Sequence, residues 1–506
     1  VRAALRAFVR SCVRGKALSY TRVVDAVADL IANDAPTRLF IADHTLWSPD
    51  PTEITNRLGW LDEPVRMRSE LDTLTRFVDT VRSDGIEQVL WCGMGGSSLF
   101  PELLSTSSLP APDAPAMSVL DSSHPAAVLR AHDFASAAPT LVVIASKSGG
   151  TIETRSHLEY LWHHAPDPSR FAVVTDAGSA LDSLATERGF RGVFHANPNI
   201  GGRFSALSHF GIVAAALLGV DVAAMLDGAT GMLERCRAVA ADNPGLVLGA
   251  LLGGAALGGR DKAVLDCNPA FGAWLEQLIA ESTGKHGVGI LPVPGDATDA
   301  EGSDRLRVSY GRGGDLDLGP DAGLDIADDA RTLGHEIIRW EVATAFAGAL
   351  LRINPFDQPD VEAAKRAAGQ VLEHGPVELP VVDLDTALHD AGPGRYVTIQ
   401  AFVDPAGPVA TRLESIRRTL RDRTGSAATA AVGPRYLHST GQLHKGGPAT
   451  AVCVQCLDPD LPEVPIPGRA FGFAELLAAQ AAGDHAALVA AGHRVARVAT
   501  TELVSA

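Results

Sequence analysis

Cysteine is scarce in this sequence and does not cluster. Cys12, Cys92, Cys236, Cys267, Cys453 and Cys456 follow no framework spacing, which excludes a disulfide-stapled scaffold and fits a reducing, cytoplasmic compartment. Cys453 and Cys456 form a lone CxxC inside the β-like run AVCVQCL, without the second ligand pair a zinc site needs, so neither metal nor redox chemistry is expected of them. Also missing is any apolar run of ~18 residues, the least that spans a bilayer, and a membrane helix is therefore not expected. Basic residues are the minority charge, 43 against 60 acidic, and the net charge of −17 disfavours nucleic acid or an anionic membrane as partner. The P-loop pattern GxxxxGK[ST] is absent. The nearest approach to a dinucleotide fingerprint, GMGGSS from Gly93 to Ser98, has Ser98 where the third glycine belongs, so no nicotinamide, flavin or other cofactor is expected. Internal repeats and low-complexity tracts are absent too.

What the chain does have is one stretch around which the rest arranges itself. Leu141 to His163 reads as a buried strand (Leu141 to Ala145), a tight polar loop and a helix whose apolar face carries Ile152, Leu158, Tyr160 and Leu161. The loop is Ser146, Lys147, Ser148, Gly149, Gly150 and Thr151. Small hydroxyl residues and two glycines at a helix N-terminus bring backbone N–H groups, hydroxyl donors and the positive dipole end to one point, where a phosphate monoester fits. A plain strand-to-helix turn capped by Ser148 or Thr151 is the competing reading. The global negative charge does not oppose an anionic substrate, because that field is screened beyond ~8 Å.

The 506 residues suggest two or three domains. The sequence opens on Val1, and Arg2, Arg6, Arg10 and Arg14 recur on one prospective helix face with no acid before Asp25. A solvated basic face in a chain cut from a longer polypeptide is expected there, a transit peptide being the other reading. From Ile86, strands at Val89 to Cys92, Ser118 to Leu120, Leu141 to Ala145 and Phe171 to Thr175 alternate with helices, which predicts a parallel, doubly wound α/β sheet with its ligands beyond the strand C-termini. Arg203 emerges from the flexible turn NIGGRFS ahead of a buried helix. AVLDC, from Ala263, opens a second α/β unit, followed by a helix from Ala270 to Glu281 that Gly284 stops. Glu281 in its last turn faces the negative dipole end, which raises a carboxyl pKa, the direction a general base needs. Glu276 and Gln277 lie about one turn earlier, and helix glutamates such as Glu276 mostly face solvent. The acidic, Gly-rich stretch from Asp296 to Asp329 reads as a strand-poor loop or lid. Helices follow from Leu333 to Leu351 and from Val361 to His374, the latter carrying Lys365. Beyond Pro380 come β-like runs at Arg395 to Val403 and Ala451 to Leu457, and two helices near Phe473 to Gln480 and His485 to Ala491.

Five motifs in order, GMGGSS (Gly93 to Ser98), SKSGGT (Ser146 to Thr151), GGRFS (Gly201 to Ser205), EQLIAESTGK (Glu276 to Lys285) and NPFDQPDVEAAK (Asn354 to Lys365), resemble the phosphoglucose isomerase family. The whole looks most like the isomerase half of transaldolase/phosphoglucose isomerase fusions. The resemblance implies two flavodoxin-like sugar-isomerase (SIS) subdomains, at 86–235 and 236–380, behind an N-terminal helical segment (1–85) and ahead of a C-terminal α+β extension (381–506). It implies reversible isomerisation of glucose 6-phosphate and fructose 6-phosphate through a cis-enediolate, in the cytoplasm and without metal or cofactor. A transaldolase domain would precede residue 1, and the protein would be a monomer or homodimer. Gly96, Ser97, Ser146, Lys147, Ser148 and Thr151 fall on the family's phosphate pocket. Arg203 falls on the enediolate-steadying arginine, Glu281 on the proton-transferring base with Gln277 beside it, and Lys365 on the lysine that assists ring opening. The family's ring-opening histidine lies between that glutamate and that lysine, where this sequence offers only His286 and His335 in unlike surroundings. Instead LHSTGQ, within Tyr436 to Gly447, follows the lysine, so His438 is expected to be the relocated histidine and His444 the second choice. A phosphosugar-binding regulatory module, or an isomerase of mannose 6-phosphate, are the competing functions.

Overall fold

In a computed structural model of the chain, which describes residues 17–311, 313–318, 328–375 and 377–505, the run LVVIA is the middle strand of a five-stranded parallel sheet. The basic face expected over Arg2 to Arg14 lies outside the described residues. The sheet comprises β1 (Gln88–Cys92), β2 (Ala116–Leu120), β3 (Thr140–Ala145), β4 (Phe171–Asp176) and β5 (Gly192–Ala196), in the order β2-β1-β3-β4-β5. Alternation of side chains along β3 sends Leu141, Val143 and Ala145 into one core and Val142 and Ile144 into another. A strand covered on both faces must be apolar throughout, which is why this one is legible in the sequence. β5, GVFHA, is poorer in apolar residues and carries no such signal.

A second parallel sheet is built from β6 (Lys262–Asp266), β7 (Leu291–Pro294), β8 (Arg305–Ser309) and β9 (Leu316–Asp317), in the order β7-β6-β8-β9. Two of these strands, β8 and β9, lie inside the stretch expected to be a strand-poor lid. In RLRVS, Leu306 and Val308 enter the core, while Arg305 donates to the carbonyl of Asp299 (3.0 Å) and Arg307 pairs with Asp266. Charged residues at alternate positions hide the strand. Ala263, Leu265, Leu306 and Val308 share their core with the first sheet and with the helices Val222–Cys236, Pro244–Leu257 and Ala330–Leu351, so the two sheets pack through one continuous apolar body.

The third sheet, β10 (Tyr396–Phe402), β11 (Ala427–Val432), β12 (Ala451–Leu457) and β13 (Arg494–Arg497), has parallel pairings throughout, where an α+β extension was expected. Cys453 and Cys456 lie on β12 as buried thiols; burial pushes Cys456 up to about 12 and Cys453 further still. Asp299 fastens this unit to the second: Arg417 and Arg421, on the helix Pro408–Thr424, each donate to its Oδ1 at 2.7 and 2.6 Å. One helix, Phe473–Ala490, replaces the two expected near the C-terminus. Gly483 does not break it. It packs so closely on the helix Val361–His374 that a Cβ there would lie 2.5 Å from the Ala368 amide nitrogen.

Candidate active site

Parallel strands aim their C-terminal ends at one side, and there the glycine turns converge. β1 runs into the turn at Gly93 to Ser98. A Cβ on Gly96 would lie 2.0 Å from the carbonyl oxygen of Gly202, so the first Gly-rich turn and the turn that presents Arg203 touch backbone to backbone. Gly95, at φ +54°, brings its Cα against both the His438 carbonyl and the Gln277 amide; a Cβ would meet them at 2.6 and 2.8 Å.

The helix Pro269–Thr283 starts from Asn268, whose side chain accepts from the backbone of Ala270 and Phe271, with Pro269 in the first turn. Its other end presents Gln277 and Glu281, four residues apart on one face and both buried. Gln277 Nε2 donates to Glu281 Oε2 at 3.0 Å and to the His438 carbonyl at 2.8 Å. Its Oε1 is buried and accepts nothing among the described residues. Glu276, expected to face solvent, is half-buried, and burial pushes its carboxyl up to about 8.

Arg203, with 2 % of its side chain exposed, is held on every nitrogen. Nε donates to Ser282 Oγ at 2.8 Å, Nη2 to the carbonyls of Pro355 and Asp357 at 2.6 and 2.9 Å, and Nη1 to Gln358 Oε1 at 3.3 Å. Nη1 also lies 3.6 Å from Glu281 Oε1. Burial is the larger effect and lowers its pKa, and Glu281 and Asp357 offset part of this. The other side of the Asn354 to Gln358 segment is held by Lys285, whose buried Nζ reaches Asp357 (2.7 Å) and the Asn354 carbonyl (2.6 Å). Burial brings Lys285 down to about 7.

His438 lies at the end of the short 3-10 turn Arg435–His438, and its Nε2 is 2.9 Å from Glu153 Oε1. Glu153 opens the helix Ile152–His164 directly after the polar loop. Burial pushes its carboxyl up, but the charge and hydrogen bond of His438 outweigh this and hold it down at about 2. Gln480, from the helix Phe473–Ala490, donates to the same Oε1 at 2.6 Å. In the loop itself, Ser146 Oγ donates to Thr151 Oγ1 at 3.2 Å and Gly150 N to Ser148 Oγ at 3.2 Å. Ser148 is exposed, Ser97 and Thr151 half-buried.

The structure therefore brings Gly96, Arg203, Gln277, Glu281 and His438 together, and connects His438 to the loop through Glu153. Two expected residues are engaged elsewhere. Lys147 donates to Asp176 (2.6 Å) and to the Pro198 carbonyl (3.0 Å), and Lys365, 52 % exposed, donates to Glu362 at 2.8 Å; no described contact joins Lys365 to the cluster. Of the other histidines, His444 is buried with Nδ1 on the Tyr396 hydroxyl (2.9 Å), and burial lowers it to about 3, which makes it a satisfied core residue. His335 meets Glu336 and Arg235. Glu153, Gln480 and Lys285 escape sequence reasoning. An acid in a first helical turn reads as a dipole partner, and nothing local marks Gln480 within an Ala-rich helix; only the LHSTGQ motif, by demanding a partner for its histidine, could have pointed to Glu153. Among the described residues no group of three or more His, Cys, Asp or Glu could hold a metal ion, and no helix is long and apolar enough to cross a membrane.

Comparison with known proteins gives this arrangement a family. The family model described as phosphoglucose isomerase matches residues 65–290. The chain is 28 % identical over 434 residues to a glucose-6-phosphate isomerase of Nostoc punctiforme, covering 72 % of this chain and 81 % of the relative. It is 30 % identical over 419 residues to that of Geotalea daltonii, covering 68 % and 77 %. Among solved structures, a glucose-6-phosphate isomerase from Chlamydia trachomatis shares the fold at a TM-score of 0.50, with 21 % identity, 67 % of this chain and 78 % of that one covered. A hypothetical protein from Thermus thermophilus does so at 0.57, with 24 % identity and 70 % and 98 % covered. The chain belongs to the phosphoglucose isomerase family.

Proposed function

We propose that this chain interconverts glucose 6-phosphate and fructose 6-phosphate by moving one proton between C1 and C2. The observation that carries this is the buried Gln277–Glu281–Arg203 group, a carboxylate with a guanidinium 3.6 Å away and an amide fixing its second oxygen. Glu281 takes the C2 proton of the open-chain aldose, leaving a cis-enediolate, and returns it to C1 on the same face while the hydroxyl proton passes from O2 to O1. Arg203 faces the developing oxyanion with its charge already fixed by its partners, so little reorganisation accompanies the reaction. The free Oε1 of Gln277 suits a sugar hydroxyl. In ring opening the C1–O5 bond breaks as Nδ1 of His438, whose Nε2 is committed to Glu153, gives its proton to O5; the anomeric hydroxyl releases its proton to solvent as C1=O forms, and Lys365, released from Glu362, steadies that oxygen. Ser97, Ser146, Ser148 and Thr151, with backbone N–H groups of the Gly96 turn and the loop, hold the phosphate. Lys147, tied to Asp176, shapes that loop from behind.

A phosphosugar sensor needs only the phosphate pocket, and the base, guanidinium and imidazole assembled here disfavour that reading. The division at 86, 236 and 381 belongs to the proposal, supported by one sheet in each of the last three parts. So do a site completed within one chain, supported by the meeting of His438 and Glu153 in the same chain, and a cytoplasmic location, supported by cysteines that follow no disulfide framework. A coupled assay of fructose 6-phosphate conversion tests the function: Glu281→Gln should lower turnover by ~10²–10⁴-fold with substrate binding nearly intact. A variant that keeps most of its turnover would sink the assignment.

A further inference from the structure

Two side chains from the C-terminal unit converge on a single carboxylate oxygen of the first unit. Glu153 Oε1 accepts from His438 Nε2 at 2.9 Å and from Gln480 Nε2 at 2.6 Å. The orientation of the Gln480 amide is fixed independently: the hydroxyl of Ser123, itself fully buried, donates to Gln480 Oε1 at 2.6 Å, which turns the NH₂ end to Glu153. Gln480 and Glu153 are both buried, so the contact is shielded from water and from screening ions. Other charged and titratable groups face the pair. His157, one turn along the Glu153 helix, donates Nε2–H to the Ser122 carbonyl at 2.9 Å, and burial lowers it to about 4, so it is neutral near pH 7. Asp121 lies within electrostatic reach of His438 and is paired through Arg435, which also holds Glu102.

We infer that Gln480 is a positioning residue for sugar-ring opening: by fixing the Glu153 carboxylate and sharing the oxygen on which His438 leans, it sets how firmly His438 holds the proton it must give up. The inference rests on the reading of His438 as the ring-opening acid. A carboxylate with one donor would hold the imidazolium charge more strongly through Nε2–H. A second donor on the same oxygen spreads the carboxylate charge, and the Nδ1 proton becomes easier to pass to a ring oxygen. A glutamine does this without adding a charge of its own, and it also keeps the carboxylate from rotating away when the imidazole becomes neutral.

Gln480→Met in the full chain keeps the length and loses the donor. The ring signal of His438, labelled with ¹³C and assigned by its loss in His438→Ala, should have its midpoint at higher pH in the variant than in the wild type, because the carboxylate oxygen it leans on has lost its second donor. Turnover of cyclic glucose 6-phosphate should fall ~5–20-fold, while exchange of the C2 proton in substrate delivered open-chain stays near wild type. A residue that merely held its helix in place would lower both activities alike and leave the titration where it was, and that result overturns the inference. Should Gln480→Met fail to fold, Ser123→Ala removes only the hydroxyl that orients the amide; it should move the midpoint the same way by less, and an unmoved midpoint overturns the inference equally. A wild-type chain without isomerase activity would defeat the functional reading instead, and the titration would still decide whether Gln480 governs the pair.

Discussion

Nε2 of His438 lies 2.9 Å from Oε1 of Glu153 across 285 residues of chain. A histidine beyond the whole second sheet is thereby returned to the helix that follows the polar loop. The turn that carries it is held at three points, by Glu153 on the ring, by Gln277 on the His438 carbonyl and by Glu102 and Asp121 on Arg435. Residues far apart in the chain can meet in this way because a site needs positions and not sequence neighbours.

Ring opening is needed only by the cyclic sugar. His438→Ala should therefore lose most activity on cyclic glucose 6-phosphate, by ~10²–10⁴-fold, and still exchange the C2 proton of open-chain substrate. His444→Ala should instead cost stability, because it removes a buried ring bonded to Tyr396. Parallel assays with the two substrate forms check this, and selective loss in a His335 or His286 variant would refute the role of His438.

Glu153 also makes the fold sensitive to acid. Its carboxyl titrates at about 2 in the folded chain against a reference of 4.5, so the folded state binds fewer protons between those values. Stability from this group is complete above about pH 5 and is lost as pH falls through about 2. Glu153→Gln should lower stability at pH 7 by about 2–4 kcal/mol and flatten the decline between pH 5 and 2. Chemical denaturation at several pH values measures both, and a decline as steep as wild type would refute the account.

Much of this was legible where one residue type had one explanation. The doubly covered β3 had to be apolar, and Gln277 and Glu281 had to share a face at a spacing of four. Other features were hidden because a local pattern had a second cause. Arg305 and Arg307 made β8 look like a surface loop, although both are held by partners. The expected gap between two C-terminal helices spans Gly483, which instead serves a close helix contact. Lys147 sits in a loop shaped for an anion, and its charge is spent on Asp176. Glu153 and Gln480 could not be paired from sequence at all, since their relation exists only after the helix Phe473–Ala490 has packed on the first unit.

The phosphate loop offers a prediction with a different kinetic signature. Its donors bind a phosphate that does not react, so ground and transition states gain alike. Ser148→Ala with Thr151→Ala should raise KM by ~10-fold or more with kcat little changed. Inorganic phosphate at 100 times its Kd should stabilise the wild type by about 2.7 kcal/mol and the double variant by much less. Thermal unfolding with increasing phosphate reads this directly, and an unmoved wild-type midpoint at high millimolar phosphate would count against the pocket.

The last prediction concerns whether one chain suffices. Gln277 bridges Glu281 and the His438 carbonyl, and both residues face Arg203 and Glu153 of the same chain. A base and an acid held by one glutamine support a site made by a single chain. Mixing inactive Glu281→Gln with His438→Ala chains, unfolding them together and refolding, should therefore restore no activity, because every site keeps one defect. In an enzyme whose copies exchange the histidine, random pairing would instead give half of the molecules a mixed composition, and each mixed dimer would hold one intact site. Recovery of about a quarter of wild-type turnover per site would thus demonstrate exchange. The absence of recovery, with each variant refolding to its own spectrum, would show that the C-terminal unit serves the site of its own chain.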